Sequence, residues 1–189
     1  MELVFIQIEK KDAEILADWL AVDAWPFFLG HTPTKIEILN RIGEGEFFGE
    51  GLLNFWVQDS LGDNLGLVEL YQLDDLSPMF SIRFKTKFRG KKLGKPTLDW
   101  LTGFVFRNYP DIRRIEGQTR EDNIAMRKVF NKCGYVKEAY YRMASPTEEG
   151  GRVASIAYGI LREDWISGAS TTVPWTADSF FAEDKFHLS

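Results

Sequence analysis

Cysteine and histidine are almost missing from this chain of 189 residues: Cys133 is the single cysteine, and His31 and His187 are the only histidines. One cysteine forms no internal disulfide, and three such side chains fall short of a four-ligand Cys/His zinc set, so no metal is expected. A Cys/His nucleophile would have to pair Cys133 with one of the two histidines. Long apolar runs are missing too. No stretch approaches the roughly 20 residues of a membrane helix, and the N-terminus lacks a basic region followed by an apolar one. A cytoplasmic protein with no membrane partner is expected. Hydrophobic residues at 44% and charged residues at 27% set aside disordered and fibrous chains. A chain of this length reads as one domain that buries roughly 70% of its unfolded surface.

Acids outnumber bases, 28 against 23, for a net charge of −5. The distribution is uneven. The window from Arg83 to Lys95, RFKTKFRGKKLGK, holds seven cations and no acid, which leaves the rest of the chain at −12. Seven cations gathered on an acidic chain present a local site for a polyanion. Two other readings stand beside it. One is a strand edge protected by lysines, although edge protection needs only one or two. The other is a nucleic-acid surface, against which the acidic remainder weighs.

Periodicity orders the chain as follows. Leu3 to Ile8 is strand-like, and Asp12 opens a helical pattern through Ile15, Leu16 and Trp19. A loop carrying Trp25, Pro26, Phe27, Phe28, Gly30 and His31 leads to a helix over 32–42. There Thr34 and Glu37 have capping-box spacing, and Ile36, Leu39 and Ile42 form the expected apolar stripe. Strands are expected over 53–58, 65–72 and 79–86, separated by the turn segments DSLGDN and LDDLSP. Pro96 suits the first turn of a helix with Leu98, Leu101 and Val105 on one face. A strand over 112–119 precedes a helix with Asp122 as the expected cap, Met126, Val129, Phe130 and Cys133 on one face, and Gly134 as the stop. Residues 136–143 and 153–161 read as a hairpin. The tail 166–189 has few helix formers but carries Trp175, Phe180, Phe181 and Phe186, and is expected to pack on the domain or a partner.

A strand, a basic loop containing glycine, and a helix in that order hold phosphate well, because free N–H groups at the helix start converge on the anion and the helix dipole adds to them. Gly90 and Gly94 allow close backbone approach. Neither common nucleotide loop fits. The mononucleotide loop needs four residues between its glycines and a hydroxyl after its lysine, whereas here there are three, and Pro96 follows Lys95. The dinucleotide G-x-G-x-x-G is absent, and the pairs Gly43/Gly45 and Gly49/Gly51 enclose Glu44 and Glu50, which repel a pyrophosphate.

The loop resembles instead the pyrophosphate motif Q/R-x-x-G-x-G/A of the GNAT superfamily of acetyl-CoA-dependent N-acetyltransferases. Arg89 and Gly94 match at its ends, and Lys92 stands at its middle glycine. Downstream, EDNIAMRKVFNKCGY resembles the second signature of the superfamily, with Asn123, Gly134 and Tyr135 in place. The resemblance covers roughly residues 3 to 165, and the WPFF loop and layout resemble the ribosomal-protein and N-terminal acetyltransferase branch. It implies a single α/β domain over 1–165, with a mixed, mainly antiparallel sheet of about seven strands and helices on both faces. It also implies acetyl-CoA as co-substrate. Ile82, Arg83 and Phe84 would give backbone contacts to the pantetheine arm, and the amides of Gly90, Lys91, Lys92, Leu93, Gly94 and Lys95 would meet the pyrophosphate. Asn123 would bond the arm, Phe130 would lie along it or the thioester, and the basic side chains could reach the 3′-phosphate. Lys92 in a right-handed helical conformation would still offer its N–H.

Amine attack on a thioester needs a neutral amine, a donor for the oxyanion and a proton source for the thiolate. The strand amide near Arg83 or Phe84 would be the donor. The superfamily's usual Tyr and Ser are replaced by Phe130 and Met126, which leaves Tyr135, Cys133 and Tyr71 as proton sources or a thiolate that departs unaided. Glu69 is the expected base, with Asp74, Asp75 and Glu116 as other carboxylates and water as a relay. The loop with Trp25, Phe27, Phe28 and His31, the second helix and the final hairpin would shape the acceptor site. The acidic remainder favours a cationic acceptor such as a polyamine, an aminoglycoside or a protein N-terminus. A homodimer is left open. Two rival functions stand: a non-catalytic CoA-binding regulator, and a nucleic-acid module using residues 83–95.

Overall fold

In the computed structural model, which describes residues 2–27, 32–147 and 149–175, seven strands form one sheet. They are β1 (Val4–Gln7), β2 (Leu53–Gln58), β3 (Asn64–Tyr71), β4 (Met79–Phe84), β5 (Arg114–Arg120), β6 (Val136–Pro146) and β7 (Arg152–Leu161). Their order is β1-β2-β3-β4-β5-β7-β6, and every neighbouring pair is antiparallel except β4 with β5. The helices are α1 (Ala13–Ala21), α2 (Lys35–Gly43), α3 (Gly94–Asn108), α4 (Ile124–Lys132) and α5 (Arg162–Ser167).

Strand alternation divides the sheet into two faces. Phe55, Val68 and Ile82 are register partners on one, and Trp56, Leu67 and Arg83 on the other. The first face is covered by Leu98, Leu101, Val105 and Phe106 of α3 and Phe130 of α4. Leu98, Leu101 and Val105 are fully buried, each worth about 1.5–3 kcal/mol relative to exposure, so the expected α3 stripe is the one that packs. The second face carries Trp56 and Leu67 beneath Leu16, Trp19 and Leu20 of α1 and Ile38 and Ile42 of α2.

Three local details differ from the sequence reading. In α2 the buried residues are Ile38 and Ile42 while Ile36 faces solvent, because contact with α1 selects one of two helical spacings. Its cap is as expected, with Thr34 and Glu37 bonding reciprocally. The cap of α4 is Asn123, whose Oδ1 accepts from the Met126 N–H at 3.2 Å, while Asp122 is taken by Arg120. Strand β4 ends at Phe84, and Thr86–Phe88 form a 3-10 turn.

Within α5, Asp164 accepts from the N–H and hydroxyl of Thr171 beyond the helix at 3.0 and 2.7 Å, and the Trp165 ring packs on Phe106. Phe180, Phe181, Phe186 and His187 lie outside the described residues. Among the described residues no helix is long and apolar enough to cross a membrane, and no three His, Cys, Asp or Glu side chains gather where they could hold a metal ion.

Candidate active site

Strands β4 and β5 pair only at Met79 with Glu116 and at Phe80 with Gly117, whereas β3 stays paired with β4 as far as Phe84. The sheet therefore forks after Phe80. At the fork, the rings of Phe80 and Phe130 fill the space above Gly117, where a Cβ would lie 2.7 Å from both. Phe130 itself is 1% exposed and stacks on Tyr158 at 4.5 Å, so it is a core wedge closing the fork rather than an open wall of it.

The register decides which backbone groups face the gap. The Lys85 N–H donates to the Leu65 carbonyl at 3.1 Å, so Lys85 and Arg83 turn their backbone toward β3. Ile82 and Phe84, alternating with them, turn toward the missing β5. The expectation for three contacting residues thus narrows to two. Arg83 contributes its side chain on the second face instead, 2.8 Å from Glu69.

From Arg89 the chain enters α3 through a tight loop. Gly90 has φ +74° and Lys92 φ +63°. Lys92 is therefore left-handed, not right-handed as the sequence suggested: it keeps the backbone that glycine would supply, at a cost of about 1 kcal/mol or more. The start of α3 has no side-chain cap and no acid in its first turn, and Pro96 carries no N–H. The N–H groups of Gly94 and Lys95 at this helix start, beside Lys91 and Lys92, suit an anion. Gly94 also answers to packing, since a Cβ there would lie 2.9 Å from Val129 of α4.

The seven cations do not form one patch. Arg83 pairs with Glu69, and Lys95 with Asp99 at 2.6 Å. The Arg89 guanidinium bonds the Phe84 and Ala24 carbonyls. Lys85 sits 5.4 Å from the Trp19 ring, and with Lys87 it lines a surface groove beside α1. Lys91, itself 5.2 Å from the Phe88 ring, and Lys92 are left flanking the loop.

On the second face, Glu69 accepts from the Ser81 hydroxyl and pairs with Arg83, their side chains only 15% and 13% exposed. These residues line a cavity of about 380 Å³ together with Glu46, Asn54 and Tyr71. Burial, and then the fields of Glu69 and Glu116, raise the Tyr71 phenol above its ordinary range. Ser81 and Asn54 escaped the sequence reading, because only the strand register puts them beside Glu69, and Glu46 reaches the same cavity from the loop after α2. Glu116 belongs to a separate network, paired to Arg114 at 2.9 Å and accepting from Gln118. Asp74 sits against Gly51 in the turn after β3.

Tyr135 is corrected from candidate acid to core residue. It is 3% exposed, and its hydroxyl meets Thr102 Oγ1 at 2.9 Å. Burial raises its phenol far above the ordinary value, more than the Thr102 bond lowers it. Cys133 is half-buried with its Sγ 3.8 Å from the Lys95 carbonyl, and burial, followed by Asp99, pushes its thiol up to about 12. Asn123 spends its side chain on the α4 cap and on Thr119 Oγ1 at 3.1 Å. In the loop after α1, Trp25 is buried and donates from Nε1 to the Leu20 carbonyl at 2.8 Å. Phe28 and His31 lie outside the described residues.

Comparison with curated proteins gives no match. Among solved structures, the spermidine N-acetyltransferase from Vibrio cholerae in complex with CoA and spermine superposes with a TM-score of 0.75 at 16% identity, over 87% of this chain and 98% of that one. The dodecameric structure of the same enzyme in an intermediate state gives 0.71 at 16% identity, over 89% and 98%. At such identity the likeness is one of fold. A family model, the acetyltransferase (GNAT) domain, matches residues 2–136, which include the forked strand, the basic loop and the Asn123-to-Tyr135 segment. The chain belongs to the GNAT family of acetyl-CoA-dependent N-acetyltransferases.

Proposed function

We propose that this chain moves an acetyl group from acetyl-CoA to a primary amine by direct attack. The observation that carries the reading is the fork after Phe80, which turns the backbone of Ile82 and Phe84 toward a gap beside the uncapped start of α3. In this reading the Gly94 and Lys95 amides and the Lys91 and Lys92 ammoniums hold phosphate, and Ile82 pairs with the pantetheine arm. Acetyl-CoA supplies an activated acyl thioester. An N–H of Ile82 or Phe84, facing the gap, donates to developing oxyanion charge. Glu69 takes the amine proton, directly or through one water, from the cavity it shares with Ser81 and Tyr71. With Phe130 and Met126 at the usual acid positions, Tyr71 is the remaining phenol, and a CoA thiolate departs readily without one.

The acceptor is a cationic amine. The acidic remainder of the chain supports this, as do the spermidine and spermine named for the Vibrio cholerae enzyme. A protein N-terminus is the acceptor if the ribosomal-protein branch is the nearer one. A second reading, a CoA-binding regulator without turnover, is favoured by the apolar residues at 126 and 130. Release of CoA thiol from acetyl-CoA, measured with spermidine, kanamycin and an N-terminal peptide in turn, separates the two. Transfer predicts release above the amine-free rate with at least one of them. Binding of CoA with no amine-dependent release would favour the regulator. A cytoplasmic location and a possible homodimer belong to the same proposal, as does a 1–165 domain with a 166–189 tail packed on the domain or a partner.

A further inference from the structure

Residues Asp23 to Phe27, between α1 and α2, touch both lips of the fork. On the β4 lip, the Asp23 carboxylate accepts from the Thr86 N–H at 2.7 Å and from its hydroxyl. The Ala24 carbonyl accepts from the Arg89 guanidinium, whose Nε also donates to the Phe84 carbonyl at 2.9 Å. On the β5 lip stands Arg120, the last residue of that strand. Its Nη1 lies 3.4 Å from the Pro26 carbonyl, and its guanidinium 5.7 Å from the Phe27 ring. Arg120 is held in turn by Asp122 at 3.0 and 2.6 Å and by the Pro146 carbonyl at 3.1 Å. On the β4 side too, the buried Trp25 ring lies 5.9 and 5.5 Å from the guanidiniums of Arg83 and Arg89. Five consecutive residues thus join two strand ends that do not pair with each other there.

We propose that Asp23–Phe27 is a strap across the mouth of the fork that retains the bound acyl donor, with Asp23 and Arg89 as positioning residues that hold it through Thr86, Ala24 and Phe84. The inference rests on the donor site proposed above. It accounts for two features that phosphate binding alone does not. Arg89 occupies the first position of the phosphate motif, yet its guanidinium is spent on two carbonyls. Asp23 is an acid beside a loop suited to anions, which by charge alone opposes phosphate binding. Partial burial acts to raise its pKa, but the Thr86 bonds and the nearby Arg89 charge carry it below the usual carboxylate range, so it is anionic at neutral pH. As the anchor of a strap its charge has a use.

The sign of one substitution separates strap from electrostatics. Removing an acid near a phosphate site should by charge alone slow the release of CoA. The strap predicts the reverse. In the full chain, Asp23→Asn and Thr86→Val should speed CoA dissociation, followed by displacement in stopped flow, about tenfold each, the effect expected for losing one charge-assisted hydrogen bond. Association should change little, and Thr86→Ser should restore slow release. Amide exchange over residues 22–27 should quicken in Asp23→Asn and, in the wild type, slow when CoA binds. Dissociation that is unchanged or slower in Asp23→Asn, or exchange over 22–27 indifferent to it, would overturn the strap while leaving the donor site standing. If the wild type failed to bind CoA, donor site and strap would fall together.

Discussion

Replacing Lys91 and Lys92 together by Glu should weaken CoA binding roughly 100-fold at low salt, since each change turns a surface attraction of about 0.5–1 kcal/mol into a repulsion of similar size near the phosphates, about 2–4 kcal/mol for the pair. The effect should shrink as ionic strength rises, because both side chains stand at the surface within a Debye length of the anion. The fold should be little altered: Lys92 already holds a left-handed backbone, and Glu is no more strained there than Lys. Titration of CoA into wild type and variant at two salt concentrations measures both quantities. Affinity within threefold of wild type would remove these lysines from the donor site and return the basic loop to the solvated-edge reading. Gly94→Glu is a poorer test, because its side chain would press on Val129 and part α3 from α4.

Glu69→Gln should lower kcat/KM for the amine roughly 10²–10⁴-fold, the range for losing a positioned base, with acetyl-CoA affinity within about twofold. The split follows from geometry. Glu69 lines the cavity on the face beneath α1 and α2, while the Lys91–Lys95 amides open at the start of α3. Gln still accepts hydrogen bonds from Ser81 and Arg83, so the fold should lose only about 1–2 kcal/mol from the broken ion pair. The kinetic constants separate base from scaffold: losing a base lowers kcat, whereas losing a scaffold raises KM alone. A raised KM with kcat unchanged would make Glu69 a holder of Arg83.

Much of this fold is written in local patterns. Leu98, Leu101 and Val105 at helical spacing, Thr34 with Glu37, and Gly134 at φ +80° each act within one turn of chain, and each does in the structure what its spacing implies. What was not legible depends on neighbours distant in sequence. Ile36 and Ile38 both fit a helical stripe, and only the packing of α2 on α1 chooses between them. Asp122 and Asn123 are both good caps, and Arg120 decides by claiming the first. Tyr135 reads as a possible acid until the core closes over it. The candidate site divides the same way: its basic loop was visible as a run of residues, but the Glu69, Ser81 and Arg83 cluster exists only because β3 and β4 pair in one register. The strap is further still from local signals, joining Asp23 to Thr86 across 63 positions.

The central claim is that the fork between β4 and β5, with the loop that follows, holds acetyl-CoA. Equilibrium dialysis of labelled acetyl-CoA against the full chain, repeated with 3′-dephospho-CoA as competitor, tests it most directly. One saturable site per chain is expected, with the dephospho form competing more weakly because it lacks the charge that the lysines attract. Absence of saturable binding would contradict the account, whatever amines were later tried.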